Sequence, residues 1–343
     1  MDKVKLEALR ARFGDAGVFD IDDPVLKAAA DRIATRDGRR TLPYSGVSTF
    51  FGLPLKEDAA GLDVAVIGVP MDLAVSNRAG ARLGPRAIRG VERIGPYHHR
   101  YRDVPAAHVK VADVGDVPFR SRYSLEQSHA DIEAYYHRLV AQGVRPLSAG
   151  GDHSISWPIL KAVGAKRPVG MIHIDAHCDT GGIYDDTKFH HGGPFRYAVL
   201  DGVLDPERTI QIGIRGGSNV IWEFSYASGM TVLNIEDFTA MGVEAVAQKA
   251  REVVGDGPVY LSIDVDGFDP AFAPGTGTPE IGGITPREGL ELLWRLRGLD
   301  YVGADVVEVA PQYDATTNTA QLGAQLLFEG LALLALGTKR PGG

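Results

Sequence analysis

The chain has 343 residues, with 36 Lys and Arg against 44 Asp and Glu, giving a net charge of −8. That acidic balance, with no basic run, argues against nucleic acid or an anionic membrane as the main partner. A hydrophobic share of 44% suits a large buried core, and the single cysteine, Cys178, excludes an intrachain disulfide.

The first ten residues, MDKVKLEALR, mix charges with single apolar residues and do not read as a secretory leader. No stretch is expected to reach the roughly 18–20 apolar residues of a membrane span, so the cytoplasm is the expected compartment. Residues 1–57 read as an N-terminal arm packed on the body or on a neighbouring subunit, and residues 58–343 as one domain. Eight short apolar runs follow in chain order: Asp63–Val69, Val109–Gly115, Val144–Gly150, Val169–Asp175, Thr209–Ile214, Thr231–Ile235, Val259–Asp266 and Tyr301–Val309. Most are continuous rather than alternating, as expected of strands covered on both faces. Helical patterns lie between them. Ser124–Gly143 has Ser124 and Gln127 placed for a capping box, and Thr285–Leu299 has Thr285 as N-cap, Pro286 at the first helical position and Glu288 beyond. Alternating strands and helices predict a parallel sheet with helices on both faces. Ligands of such sheets bind beyond the carboxyl ends of the strands.

Three clusters fall at those ends: Gly151-Asp152-His153-Ser154, Asp175-Ala176-His177-Cys178-Asp179, and Asp264-Val265-Asp266. Alternate residues of an extended chain point to one side, so Asp175, His177 and Asp179 can converge, as can Asp264 and Asp266. His153 adds a second imidazole. Each cluster alone has a plainer reading, such as Asp152 or Ser154 capping a helix. Together they gather four carboxylates whose charge two divalent cations would offset. Oxygen-rich ligands favour manganese, and imidazole also tolerates nickel, iron or zinc.

GGDHS, HIDAHCDT and SIDVDGFDPAFAPGTGTPEIGG, with GVPMDLAVSNRAGARLGPRAIR and VVEVAPQYD, resemble the ureohydrolase superfamily of arginases, agmatinases and related amidinohydrolases. The resemblance covers the chain from about Ser45 onward. It implies a three-layer α/β/α sandwich around an eight-stranded parallel sheet, and a homo-oligomer, often a trimer or hexamer. A hetero-oligomer with a paralogous subunit is a further form. It also implies two ions, Mn2+ first and Ni2+ as the alternative, held by His153, Asp175, His177, Asp179, Asp264 and Asp266. These ions would activate a water molecule, with Asp179 orienting it. Glu308 matches the family's guanidinium-binding carboxylate. His191 matches its proton-transfer histidine, with His190 as the competing neighbour. Thr278 aligns with a substrate-side threonine, or serves only as a turn residue.

Cys178 stands at a variable position and is expected to be packed. The loop TGGIYDDTKFHHGG differs from the arginase loop that recognises an amino-acid head, which argues against arginine. The expected reaction cleaves a guanidino compound to urea and an amine, 4-guanidinobutanoate first. Arg215, closing the strand TIQIGIR, would pair with a carboxylate tail. Asp185 and Asp186 pull instead toward an amine tail such as that of agmatine. Free guanidine and a biguanide such as metformin are further substrates to weigh, and a non-catalytic partner subunit is the alternative of another class.

Overall fold

The computed structural model describes residues 2–33, 45–92, 94–217 and 221–337. Eight strands form one sheet: β1 (Val64–Val69), β2 (Val111–Asp116), β3 (Arg145–Gly150), β4 (Val169–Ile174), β5 (Leu204–Ile214), β6 (Thr231–Asn234), β7 (Val259–Asp264) and β8 (Tyr301–Val307). Their order is β2-β1-β3-β8-β7-β4-β5-β6, and every pairing is parallel. All eight apolar runs are therefore strands, with β5 starting five residues earlier than its run suggested.

Period-two geometry sorts the strand residues onto two faces. Val64, Val66, Leu147, Ala149, Ile172, Ile174, Leu261, Ile263 and Val306 lie in one core. Ala65, Ile67, Val69, Ala112, Met171, Tyr260 and Val307 lie in the other. The first core is closed by α3 (Gly84–Arg89), α8 (Ile235–Val254), α9 (Pro286–Arg295) and α10 (Asn318–Leu336). The second is closed by α4 (Leu125–Ala141), α5 (Ser156–Val163) and α6 (Pro194–Leu200). Truncating a fully buried strand residue such as Ile172 to Ala would cost about 2–5 kcal/mol. The three layers are those expected.

Helix ends follow local chemistry. Thr285 and Glu288 form a complete capping box at α9. At α4 only half of the box forms: Ser124 accepts from the Gln127 amide, but the Gln127 side chain turns to Asp131 at 3.4 Å. One expectation is corrected by α10, which by length and composition could cross a membrane, with a mean hydropathy of 1.4. It is instead a core helix, 78% buried and packed on β8 and β3.

In the N-terminal segment, α1 (Lys3–Phe13) buries no side chain, and α2 (Pro24–Ile33) buries only Ala29 and Ala30. Phe50 and Leu53, within the segment read as an arm, pack in the core of the body. Part of the expected arm lies outside the described residues.

The chain lays down β1 to β6 first and inserts β7 and β8 last, between β4 and β3. The four central neighbours β3, β8, β7 and β4 thus end side by side. Gly267, just after β7, lets that end approach β4: a Cβ there would sit 3.0 Å from the Asp175 backbone.

Candidate metal and guanidinium site

The carboxyl ends of these four strands bring His153, Asp175, Asp179, Asp264, Asp266 and Glu308 together, all buried. His153 Nδ1 faces three carboxylates: Asp175 Oδ2 at 3.0 Å, Asp179 Oδ2 at 2.9 Å and Asp264 Oδ2 at 3.3 Å. A second group forms beside it. His177 Nδ1 lies 3.4 Å from Asp175 Oδ1 and 3.2 Å from Asp266 Oδ2. Asp175 faces both groups, one oxygen to each. All six sequence-predicted ligands therefore converge.

Other contacts hold these carboxylates in place. Asp266 Oδ1 accepts from the Ala176 amide at 3.2 Å, and Asp264 Oδ1 from the Asp266 amide at 2.8 Å. Asp179 and Glu308 have φ of 51° and 65°, a strained region for residues with a Cβ, of the kind that clusters at functional sites.

His153 Nδ1 is buried and makes no hydrogen bond among the described residues. Its other nitrogen, Nε2, is 2.8 Å from Ser262 Oγ, which donates to Asp305 Oδ1 at 2.6 Å. Asp305 also accepts from Ser156 Oγ and Tyr260 OH, each at 2.7 Å. That chain fixes a proton on Nε2 and leaves the Nδ1 lone pair aimed at carboxylate oxygens. A lone pair facing anions at 3 Å is repulsive unless a cation or a proton lies between them, so the donor set fits divalent metal.

The electrostatics of the protein groups alone say the same. Burial pushes Asp264 well above the usual carboxylate range, and Asp266 and Asp175 push it further. Burial and then Asp175 raise Asp266 to about 6. Burial opposes charge on His153, but Asp175, Asp179 and Asp264 override it and hold the ring well above its ordinary value. These shifts are those of a carboxylate cluster that calls for positive charge, which a bound cation would supply.

Glu308 stands at the edge of this cluster, after β8. Its Oε1 accepts from the His153 amide at 2.9 Å and from His191 Nδ1 at 2.8 Å. Its Oε2 is buried without a partner among the described residues. A carboxylate oxygen left this way calls for a ligand donor.

His191 is fixed by three contacts: Nδ1 on Glu308, and Nε2 3.1 Å from the Ser76 amide and 2.7 Å from Ser76 Oγ. Burial would lower its pKa, but Glu308 and then Asp179 and Asp152 raise it to about 9. The Ser76 amide and hydroxyl can both donate to Nε2, which places the ring proton on Nδ1 toward Glu308.

His190 lies elsewhere. Its Nε2 holds the Gly182 carbonyl at 2.6 Å and closes its own loop. Thr278 Oγ1 donates to Asp266 Oδ2 at 3.0 Å and so steadies one of the clustered carboxylates. Asp152 takes the capping role left open for it, accepting from the Ser154 amide at 3.0 Å, while Oδ2 accepts from the Ala74 amide at 3.0 Å. Cys178 is fully buried, and burial pushes its thiol up to about 12.

Arg215 requires a correction. Its guanidinium donates to the carbonyls of Gly213, Asp266, Gly267, Phe268, Glu280 and Ile281, at 2.7–3.4 Å. All three nitrogens are used to pin the 266–281 loop to the end of β5, so none is left for a substrate carboxylate. Asp185 and Asp186 are exposed at a turn bridged by Tyr184 and Thr187.

The sequence reading missed His173, Ser262, Asp305 and Ser76. His173 is fully buried, with Nε2 2.7 Å from Asp175 Oδ2 and Nδ1 3.1 Å from Gln211 Nε2. Both His173 and Ser262 stand two residues before a predicted ligand, Asp175 and Asp264 respectively. One more step back along the alternation would have found them.

A family model described as "Arginase family" matches residues 62–332. The chain is 49% identical over 296 residues to a guanidinopropionase of Pseudomonas aeruginosa, covering 85% of this chain and 93% of that protein. It is 47% identical over 293 residues to a mitochondrial agmatinase of Gallus gallus, covering 84% and 86%. Among solved structures, proclavaminate amidino hydrolase from Streptomyces clavuligerus superposes with a TM-score of 0.82 at 36% identity, covering 86% of this chain and 99% of that one.

Proposed function

Because the chain belongs to the arginase family, we propose that it is a binuclear metal hydrolase that cleaves a short guanidino acid to urea and an amino acid. The observation that carries this reading is the free, buried Oε2 of Glu308 beside the His/Asp cluster. A guanidinium is the planar cation that such an oxygen accepts well. Relatives bearing the names guanidinopropionase and agmatinase support the head group and leave the tail open.

His153, Asp175, His177, Asp179, Asp264 and Asp266 would hold the two cations, which supply an activated water and stabilise negative charge when bound. The chain's own residues supply the rest. Glu308 Oε2 accepts guanidinium N–H groups and sets the plane of the head. His191, tied to Glu308 through Nδ1, protonates the leaving amine. Ser76 Oγ, on an exposed residue, passes protons between His191 Nε2 and solvent. The buried Asp305, through Ser262, keeps His153 in the tautomer that ligates.

Asp185 and Asp186, the acids that argued for an amine tail, are exposed at their turn, which removes that pull and leaves the carboxylate tail as the reading to test. The test is urea release from 3-guanidinopropionate, 4-guanidinobutanoate, agmatine, arginine, guanidine and metformin, with Mn2+ or Ni2+ loaded separately and the metal counted. The two guanidino acids should give the highest kcat/KM with close to two ions per chain. Preference for agmatine, arginine, guanidine or metformin would refute the substrate class, and full activity with one ion would refute the binuclear site.

A further inference from the structure

We propose that Arg78 is the residue that selects a carboxylate tail, an inference that rests on the guanidino-acid reading above. A direct path runs from the head-group oxygen to Arg78. A Cβ on Gly277 would lie 3.6 Å from Glu308 Oε2 and 2.9 Å from the Arg78 carbonyl. Arg78 therefore begins one small-residue width from the oxygen that takes the guanidinium. A substrate with its head on Glu308 and a short aliphatic chain can bring its other end to that rim.

The segment carrying Arg78 is held from both sides. Asn77 Nδ2 donates to the Gly277 carbonyl at 3.0 Å. The Ala79 carbonyl accepts from Gln312 Nε2 at 2.6 Å and Tyr313 OH at 2.9 Å. The Arg78 side chain is itself placed, with Nε on the Gly277 carbonyl at 3.3 Å and the guanidinium 4.8 Å from the Tyr313 ring centroid. What it lacks is an acid. Its terminal Nη1 and Nη2 make no hydrogen bond or ion pair among the described residues, and the nearby Asp72 pairs with Arg82. Arg78 thus offers the fork of donors that Arg215 cannot, pre-positioned by stacking and by the clamp on its neighbours. A fixed fork of this kind matches a carboxylate bidentately and repels an ammonium.

The experiment compares kcat/KM for 4-guanidinobutanoate and for agmatine in the wild type, Arg78→Ala and Arg78→Lys, with metal content and Tm as checks on folding. A charge-assisted hydrogen bond lost from a binding contact corresponds to about a 10–100-fold loss. The ratio of guanidinobutanoate to agmatine should fall by that factor in Arg78→Ala, mainly through KM. Arg78→Lys should recover part of it. An unaltered ratio, or equal losses for both compounds, overturns the proposal. If the wild type releases urea from no guanidino compound, the functional reading fails instead. Arg78 is then judged by calorimetric binding of 4-guanidinobutanoate to the wild type and Arg78→Ala, where equal affinities overturn its role.

Discussion

Replacing Glu308 with Gln removes one charge and almost no volume, so it isolates what the carboxylate contributes. In the protein, Oε1 accepts two N–H groups, from His153 and His191, and Oε2 accepts none. A Gln amide can keep its carbonyl toward His153 and His191, but its NH2 then points at the guanidinium, donor against donor. Flipped, it offers the carbonyl to the guanidinium and sets its NH2 against the two donors behind it. Either orientation loses at least one charge-assisted hydrogen bond, which contributes about 1.5–3 kcal/mol. That corresponds to about a 10–150-fold loss in kcat/KM, and the opposed donors push toward the upper end. The guanidinium binds before and during the reaction, so both KM and kcat should suffer. Urea release from 4-guanidinobutanoate, with metal counted on the same samples, measures the effect. Glu308 is not among the six ligands, so the ions should stay. A loss under threefold would show that Glu308 does not hold the head group, and a variant stripped of metal would show that it acts only by fixing the His153 backbone.

Three further outcomes are expected. His191→Asn should lower kcat about 10²–10⁴-fold with metal retained, whereas His190→Asn, which loses only the tie to Gly182, should change kcat far less; the reverse order in the same assay would exchange their roles. Ser262→Ala should weaken metal binding about 10–100-fold, read by titrating Mn2+ into the metal-free protein, and an unchanged affinity would show that the Ser262–Asp305 chain does not tune His153. Burial opposes the charge on Asp314, but hydrogen bonds from Thr316 and Thr319 outweigh it and hold the carboxyl below its ordinary value. A depressed carboxyl stabilises the fold above its unfolded pKa of about 4 and loses that contribution as pH falls through the folded value. Asp314→Asn should therefore be less stable than wild type to urea at pH 7, with the gap closing toward pH 3, and a constant gap would exclude the charge as its cause.

Much of this was legible because burial writes itself into composition. Strands covered on both faces must be apolar at consecutive positions, and all eight were read as such. The candidate metal ligands were legible for a related reason. Ala149, Ile174 and Ile263 mark where apolar runs stop, and an Asp or His beyond such an end has few structural excuses. Helix α10 was less legible, because a core helix wrapped by sheet and neighbouring helices has the same composition as a membrane span. The supporting polar groups were hidden in the strands themselves. Ser262 and Asp305 sit among Val, Leu, Ile and Ala, and only the pairing of β7 with β8, which sets Ser262 against Asp305, brings them together.

The arginines mark where sequence reading stops. Arg215 follows a strand end, as a substrate-binding residue would, and its charge gave every reason to expect a carboxylate partner. Yet a guanidinium has five donors, and backbone carbonyls of a loop can use all of them. Whether they do depends on the path of residues 266–281, which returns over β5 only because β7 lies two strands away, beyond β4. Arg78 shows the converse. It lies in a loop of Ser, Asn, Ala and Gly, inside a motif that carries the family resemblance but assigns it no role, and it gains meaning only because Gly277 and Tyr313, some 200 residues later, close around it. Charge says which residues can bind an anion. The count of donors already spent decides which of them does, and that count is a property of the folded chain alone.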